Sequence, residues 1–468
     1  MKKISLLICL LFFSIYSIQS VKLYSTHKTR GDLSNFAQAM WNSSQGRLMQ
    51  NTFNYSIHNF WGDPTTNIPI DSNIFGIHFN PILIFFIPIY KAFPTPITLL
   101  IIQAFFVALS GYLIFLLSQS FFWQMSFLSY FALISAVLSE FHAVTLAIFF
   151  GLLLIYANLK FKNYTFFLLL IIFLFIQENT ALAAFAFCFI LIFSKKNRLK
   201  GIIGSIFSLI YFFLTTKVFI PYLSNYHGYI FESIYGCPLG DSFLSIALNS
   251  IKNPFLLLKT IFTIDNIKYL SKIYFPVFPF FIFSPFLFLA SLSGLASNIL
   301  STSTLLKSIS MHYEAIAIPF IFYSGIVGSK RLFKNKPIII FLILITTTLI
   351  SYKLFISQKL NRHVLVQKLY SNYDKKLDTI IKMIPNNASV STQDYISGHL
   401  TNRRELYLFP VYYDKVDYIL INNNDNTWPV ETKIQKKYIK ELSTNPKYKI
   451  VYQDLDFILF AGTPTTTL

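Results

Sequence analysis

The sequence predicts an all-α polytopic transmembrane bundle of about ten spans, closed by a small C-terminal α/β domain. Three observations predict it. Of the 468 residues, 54% are hydrophobic and only 13% are charged, whereas soluble domains carry roughly a quarter charged residues. Apolar runs recur as far as residue 356, several of them close to the ~20 residues a helix needs to cross a bilayer. Beyond that point the chain turns rich in Lys, Asn, Asp and Tyr, in short alternating stretches separated by polar turns.

The first element is an apolar run from Ile4 to Ile18 behind Met1-Lys2-Lys3. It is long for a signal peptide, and Ile18-Gln19-Ser20 is a poor small-x-small cleavage site, so an uncleaved span is expected over 4–21. Further spans are expected at 97–118, 121–139, 143–159, 164–177, 180–194, 201–220, 313–328 and 337–356. The stretch 79–93 is apolar but short, and Pro81 and Pro88 interrupt it, which favours an interfacial or re-entrant segment. The Pro-broken region 273–300 is too short for two full spans and reads as a re-entrant hairpin, unless one crossing nearby goes uncounted.

In a soluble protein a net charge of +19 would suggest a nucleic-acid partner. Many of these Lys and Arg residues instead sit in short stretches between spans, where they set topology, and no nucleic acid is expected. With Lys2 and Lys3 inside and 79–93 not crossing, the cytoplasmic loops hold Lys160/Lys162, Lys195 to Lys200, and Lys330/Arg331/Lys334/Lys336. The opposite loops at 140–142 and 177–179 carry no Lys or Arg. The expected protein is therefore a multi-pass protein of the cytoplasmic membrane with a cytoplasmic N-terminus. Residues 1–358 form its membrane domain, 22–96 its first outer loop, and 359–468 a small domain outside. Three cysteines (Cys9, Cys188, Cys237) have no metal-ligand spacing and support no disulfide framework.

Within 359–468, Ala388 to Ser391, Glu405 to Phe409 and Asp417 to Ile421 read as strands, Thr432 to Leu442 as an amphipathic helix, and Lys447 to Phe460 as a closing hairpin. An interfacial helix is expected over 31–42, with Phe36, Met40 and Trp41 toward lipid or the bundle.

Ionisable side chains at span boundaries are costly unless partnered, so they are candidates for function. Asp32 opens the interfacial helix and His78 precedes the Pro-broken stretch. Glu140 with His142, and Glu178, occupy two outer turns; His312 and Glu314 open a later span. Each has a plain structural alternative, a helix cap for Asp32 and a satisfied interfacial imidazole for His78 among them. The topology, chosen from Lys and Arg alone, nonetheless gathers all seven on one membrane face. No Gly-rich phosphate loop, zinc-ligand spacing or nucleophile elbow accompanies them.

These residues fall in a pattern that resembles a known family. Gly31-Asp32-Leu33-Ser34-Asn35-Phe36-Ala37-Gln38-Ala39-Met40-Trp41-Asn42 is similar to the opening of the bacterial and archaeal membrane proteins called domain of unknown function 2079. So are His78-Phe79-Asn80-Pro81, Glu140-Phe141-His142, His312-Tyr313, and in the tail Ala388 to Gln393 with His399-Leu400 and Asn402-Arg403. Two turns depart from the family: its Lys-Glu-Asp is Gln177-Glu178-Asn179 here, and its Asp-Phe-His is Glu140-Phe141-His142.

The resemblance implies a GT-C-like membrane glycosyltransferase, with Asp32 as base or metal ligand and a polyprenyl-phosphate sugar as donor in the lipid bilayer. On that reading Glu140, His142 and Glu178 bind a divalent cation (magnesium or manganese) or the donor phosphate, and His78, His312 and Glu314 line the site. The alternatives are a lipid or solute transporter, which calls for charges at mid-span and internal repeats, and a non-catalytic envelope scaffold.

Overall fold

The computed structural model describes residues 1–53, 72–224, 228–334, 336–356, 370–423 and 430–462. Part of the expected first outer loop (54–71) and the link into the C-terminal domain (357–369) lie outside the described residues.

The membrane portion is built from α1 (Lys2–Ser25), α2 (Gly31–Ser44), α3 (Pro96–Ser118), α4 (Phe121–Leu128), α5 (Phe131–Leu138), α6 (Ala147–Lys160), α7 (Asn163–Leu174), α8 (Thr180–Ile192), α9 (Arg198–Leu214), α10 (Ile318–Phe333) and α11 (Pro337–Ile356). Among the described residues, four helical stretches are long and apolar enough to cross a membrane: Lys2–Ser25, Pro96–Ser118, Ala143–Lys160 and Arg198–Leu223. A fifth is the pair α4 and α5, bent by 49° at Ser129-Tyr130. Four or five is fewer than the ten expected. The shortfall has a physical cause: α7 and α8 have only 12 and 13 residues, ~18–20 Å at 1.5 Å per residue, and Pro-led breaks divide 264–300 into short pieces. The stretch 79–93 is likewise shorter than a full span. It folds as a 3-10 turn, Pro81–Phe86, running into the helix Ile87–Ala92.

Large apolar side chains stay exposed along whole helix faces: Leu7, Leu10 and Leu11 on α1, Ile203, Ile206 and Ile210 on α9, and Ile338, Leu342 and Leu349 on α11. In water such stripes would drive aggregation; hydrocarbon is the solvent that suits them. With no hydrophobic force between helices in lipid, close packing takes over. A Cβ on Gly201 would meet the Cys188 carbonyl oxygen at 2.7 Å, so glycine there is what lets α9 lie against α8.

The C-terminal domain is a five-stranded sheet with two helices. Its strands are β1 (Val390–Thr392), β2 (Leu406–Leu408), β3 (Tyr418–Asn422), β4 (Tyr448–Gln453) and β5 (Phe457–Gly462), in the order β2-β1-β3-β5-β4. β1 runs parallel to β2 and β3, while β5 is antiparallel to both β3 and β4. Before it stands α12 (Asn372–Ile381), and α13 (Thr432–Thr444) links β3 to β4. Leu406, Leu408, Leu420, Phe457 and Leu459 fill one face of the sheet with Leu377 and Ile380 of α12. The expected strands, helix and hairpin are thus all present, within one or two residues at their ends.

The sheet domain sits on α2. Ser397 Oγ meets Ser34 Oγ at 2.6 Å, and Gln38 Nε2 donates to the carbonyls of Arg403 (3.3 Å) and Arg404 (3.0 Å). Thr52 Oγ1 donates to Leu406 O and accepts from Leu406 N, both at 2.9 Å. Asn402 Nδ2 donates to Pro94 O at 2.6 Å, while buried Arg403 holds its own domain together through the carbonyls of Leu400 and Ala388. The motif residues of the tail are therefore its docking surface.

Candidate functional site

The first amide groups of a helix have no partner within it and present positive charge. At the start of α2 two of them are taken by acids from distant parts of the chain. Asp394, at the end of β1, accepts from Gly31 N–H at 2.6 Å, and Glu140 accepts from Leu33 N–H at 3.1 Å. A Cβ on Gly31 would meet Asp394 Oδ1 at 2.5 Å, so only glycine admits this approach.

Glu140 has φ +102°, a conformation that costs a non-glycine residue about 1–3 kcal/mol and persists only where its surroundings impose it. Gln103 of α3 imposes it. Its Nε2 donates to Glu140 O (2.6 Å) and Val137 O (2.9 Å), and its Oε1 accepts from His142 N (2.9 Å) and Thr145 Oγ1 (2.7 Å). The turn between α5 and α6 is thereby locked so that Glu140 and His142 both face α2.

Asp32 points the other way, and its Oδ2 lies 3.2 Å from His142 Nε2. The His142 ring stacks on His312 with centroids 3.5 Å apart, and meets the edge of Phe36 at 6.2 Å. Nδ1 of His142 and Nδ1 of His312 are buried without a hydrogen-bond partner, and Nε2 of His142 has Asp32 as its neighbour. The Asp32 side chain is 44% exposed, although protein crowds it on all sides and leaves only a cleft open. That crowding works to raise its carboxyl, but His142, helped by the charges of His78 and Arg30, outweighs it and leaves Asp32 below the usual carboxylate range. Glu140 is held well above that range, first by burial and then by the charges of Asp32 and Asp394. Asp394 is pushed up to about 7 by burial, with the Asp32 charge adding to it. Asp32 and its two acidic neighbours are thus shifted in opposite directions, the separation by which a base and its neighbours are told apart.

A second cluster lies alongside. Glu178 is fully buried and accepts three hydrogen bonds: from His78 Nδ1 (2.8 Å), Phe79 N–H (2.9 Å) and Tyr229 OH (2.9 Å). The His78 ring stacks on Phe231 at 4.6 Å. His78 and His312 line one cavity, with about 790 Å³ of empty space including its open mouth. Tyr235, Tyr313, Gln177, Asn179, Ser297 and Asn298 give it a wall of aromatic rings, amides and hydroxyls. Asp32 lies close enough for its charge to act on Tyr235 and Tyr313, which places it beside this cavity.

The seven residues singled out in the sequence thus fall into three places. Asp32, Glu140, His142 and His312 meet at the start of α2; His78, on the cavity wall, pairs with Glu178 buried behind it; Glu314 turns into the bundle, where Tyr269 OH donates to it at 2.9 Å and Asn298 in turn holds Tyr269 at 2.7 Å. Asp394, Gln103 and Tyr229 are as much part of the arrangement and escape a sequence reading. An aspartate in a polar domain is ordinary, and a lone Gln or Tyr in an apolar run carries no signal of its own.

A family model described as "Predicted membrane protein (DUF2079)" matches residues 22–459, which takes in both domains and every residue of the clusters. No curated protein matches the chain.

Proposed function

The chain belongs to that family of predicted membrane proteins, and from this premise we propose that it is a membrane glycosyltransferase, moving a sugar from a polyprenyl-phosphate donor to an acceptor of the cell envelope. The observation that carries the reading is Asp32: an ionised acid paired with a histidine, at a cavity of rings, amides and hydroxyls, in a protein whose surroundings are lipid. Aromatic faces and side-chain amides are the groups that hold a sugar ring by stacking and by hydrogen bonds.

In the proposed step Asp32 takes the proton of the acceptor hydroxyl, whose oxygen bonds to the anomeric carbon. The bond from that carbon to the phosphate oxygen breaks, and polyprenyl phosphate leaves with the electron pair. Asp32 Oδ2 and the adjacent Nε2 of His142, 3.2 Å apart, suit a divalent cation. Two protein ligands are few, but magnesium commonly completes its shell with water and substrate phosphate. Such an ion would neutralise charge building on the leaving phosphate. His142 stacked on His312 keeps its nitrogens turned to Asp32, and Glu140 and Asp394 fix the helix end from which Asp32 projects.

Native mass spectrometry of the full chain in nanodiscs containing a polyprenyl-phosphate hexose is the direct test. A one-to-one complex is expected, weakened about tenfold by Tyr235→Ala or Asn298→Ala, the worth of one stacking or hydrogen-bonding contact. Absence of a complex, or indifference to both substitutions, sinks the reading.

The chemistry is proposed to lie on the outer membrane face, with the N-terminus and basic loops in the cytoplasm. Gln103 lies in the N-terminal half of α3 and Leu117 at its C-terminal end, ~21 Å apart at 1.5 Å per residue. Gln103 holds the Glu140 turn, whereas Lys330 Nζ donates to Leu117 O at 2.9 Å, close to Lys160. The basic residues thus gather at the end away from Asp32, and cytoplasmic loops are the ones enriched in Lys and Arg. All three native cysteines are buried, so labelling of introduced thiols has a low background. An impermeant reagent applied to intact cells is expected to reach Ser443→Cys and to miss Asn197→Cys. The reverse pattern would move the site to the cytoplasm and exclude this assignment.

A further inference from the structure

We propose that His27, Asp378 and His399 bind one zinc ion, which ties the C-terminal domain to the end of the first membrane helix. The three come from separate places: His27 two residues beyond α1, Asp378 in α12, and His399 in the turn Gly398–Leu400. Each offers one ligand atom, and the three atoms lie within 4.8 Å of one another. His27 Nε2 and Asp378 Oδ1 are already 3.1 Å apart. Ligand atoms around a tetrahedral zinc are ~3.3 Å apart, given zinc–nitrogen bonds of about 2.0–2.1 Å. Closing the site therefore asks of the third ligand an inward shift of about 1.5 Å at most, within reach of a side-chain rotation.

The groups around the three residues prepare them as ligands. Tyr24 O lies 3.0 Å from His399 Nε2, so the ring carries its proton there and keeps a lone pair on Nδ1 for a metal. The Tyr24 ring stacks on His399 with centroids 4.2 Å apart, fixing the plane. Tyr370 OH donates to the second oxygen of Asp378, leaving the first for the metal. Partners of this kind set the orientation and basicity of metal ligands. His27 is almost fully buried, with its Nε2 turned to Asp378. Asp378 is 32% exposed and gives the ion a way in and room for a water as fourth ligand.

Two imidazoles and one carboxylate with an open position form a zinc donor set, whereas magnesium and calcium prefer oxygen throughout. The site is independent of the sugar-transfer reading. None of the three residues belongs to the Asp32 cluster.

The test uses the full chain, purified without a polyhistidine tag, stripped with a chelator and equilibrated against micromolar zinc. Elemental analysis is expected to give one zinc per chain, and cobalt in its place is expected to show the visible absorption of a histidine-bound tetrahedral ion. Tyr370→Phe should weaken zinc binding about tenfold, and His399→Gln or Asp378→Asn by about 100-fold or more. Wild-type protein that takes up no zinc overturns the proposal without reference to any variant. So does uptake that persists undiminished in the His399→Gln/Asp378→Asn double variant. Amide exchange of the β1–β3–β5 sheet shows whether a variant has kept its fold; if His399→Gln has not, Tyr370→Phe, remote from the metal itself, decides.

Discussion

Asp32→Asn is expected to reduce sugar transfer by about 10²–10⁴-fold, the usual loss on removing a general base, while the protein expresses and inserts as the wild type does and unfolds only slightly below the wild-type temperature. The amide keeps the shape of the carboxylate but cannot accept the acceptor's proton. Stability should hold because Asp32 is the one member of its acid cluster that caps nothing: Gly31 N–H goes to Asp394 and Leu33 N–H to Glu140. Its charge also works against both of those neighbours, raising their carboxyls, which offsets part of what its pairing with His142 contributes and keeps the loss small. Activity lost with stability nearly kept marks a residue held in place for chemistry. Transfer by purified protein and thermal unfolding of the same sample read both quantities. An Asp32→Asn protein that transfers sugar at the wild-type rate removes the base, and one that fails to fold makes Asp32 structural.

The opposite result is expected at Glu178. Glu178→Ala leaves His78 Nδ1, Phe79 N–H and Tyr229 OH facing a dry gap where each now donates to a carboxylate. Removing one side of a buried charged pair costs about 3–5 kcal/mol, a large part of the total stability of a protein domain. Glu178→Gln returns one acceptor oxygen but sets an NH₂ against the remaining donors, so it should fall between alanine and wild type. Denaturation in detergent gives the ranking, and amide exchange at Phe79 locates the damage. Equal stability of all three proteins would mean that Glu178 is not a structural tie, and would return it to the groups available for an ion or a phosphate.

Asp32 and Glu178 look alike in the sequence, each an acid at the edge of an apolar run, and the contrast between them shows what can be read there. The expense of placing charge near lipid is a property of composition, so His78, Glu140, His142 and Glu178 stand out without a structure. Which acid is occupied and which is free depends on partners far along the chain: Tyr229 and Phe79 lie 51 and 99 residues from Glu178, and Asp394 lies 363 residues from Gly31. No local pattern carries that. The strands and α13 of the C-terminal domain were legible because alternation and helical periodicity act over a few residues. The number of crossings was not, because Pro81, Pro276, Pro279 and Pro285 break apolar stretches into pieces whose path is set by neighbouring helices. The tail motif around His399 and Asn402 was visible as a pattern, but its meaning as a docking surface required the contacts with Tyr24 and Pro94.

The pairing of Gly31 with Asp394 also bears on how the protein is made. Asp32 leaves the ribosome early, with the first membrane helix, whereas Asp394 is translated only after every apolar helix of the bundle. Until then the start of α2 lacks one of its two caps and the base has no fixed direction. A nascent chain halted part-way, or one cut short before β1, would hold a complete set of hydrophobic helices around an inert centre. Competence would switch on last, when the bundle is already seated in its bilayer, so unfinished copies could not act on lipid-borne substrates they meet during insertion.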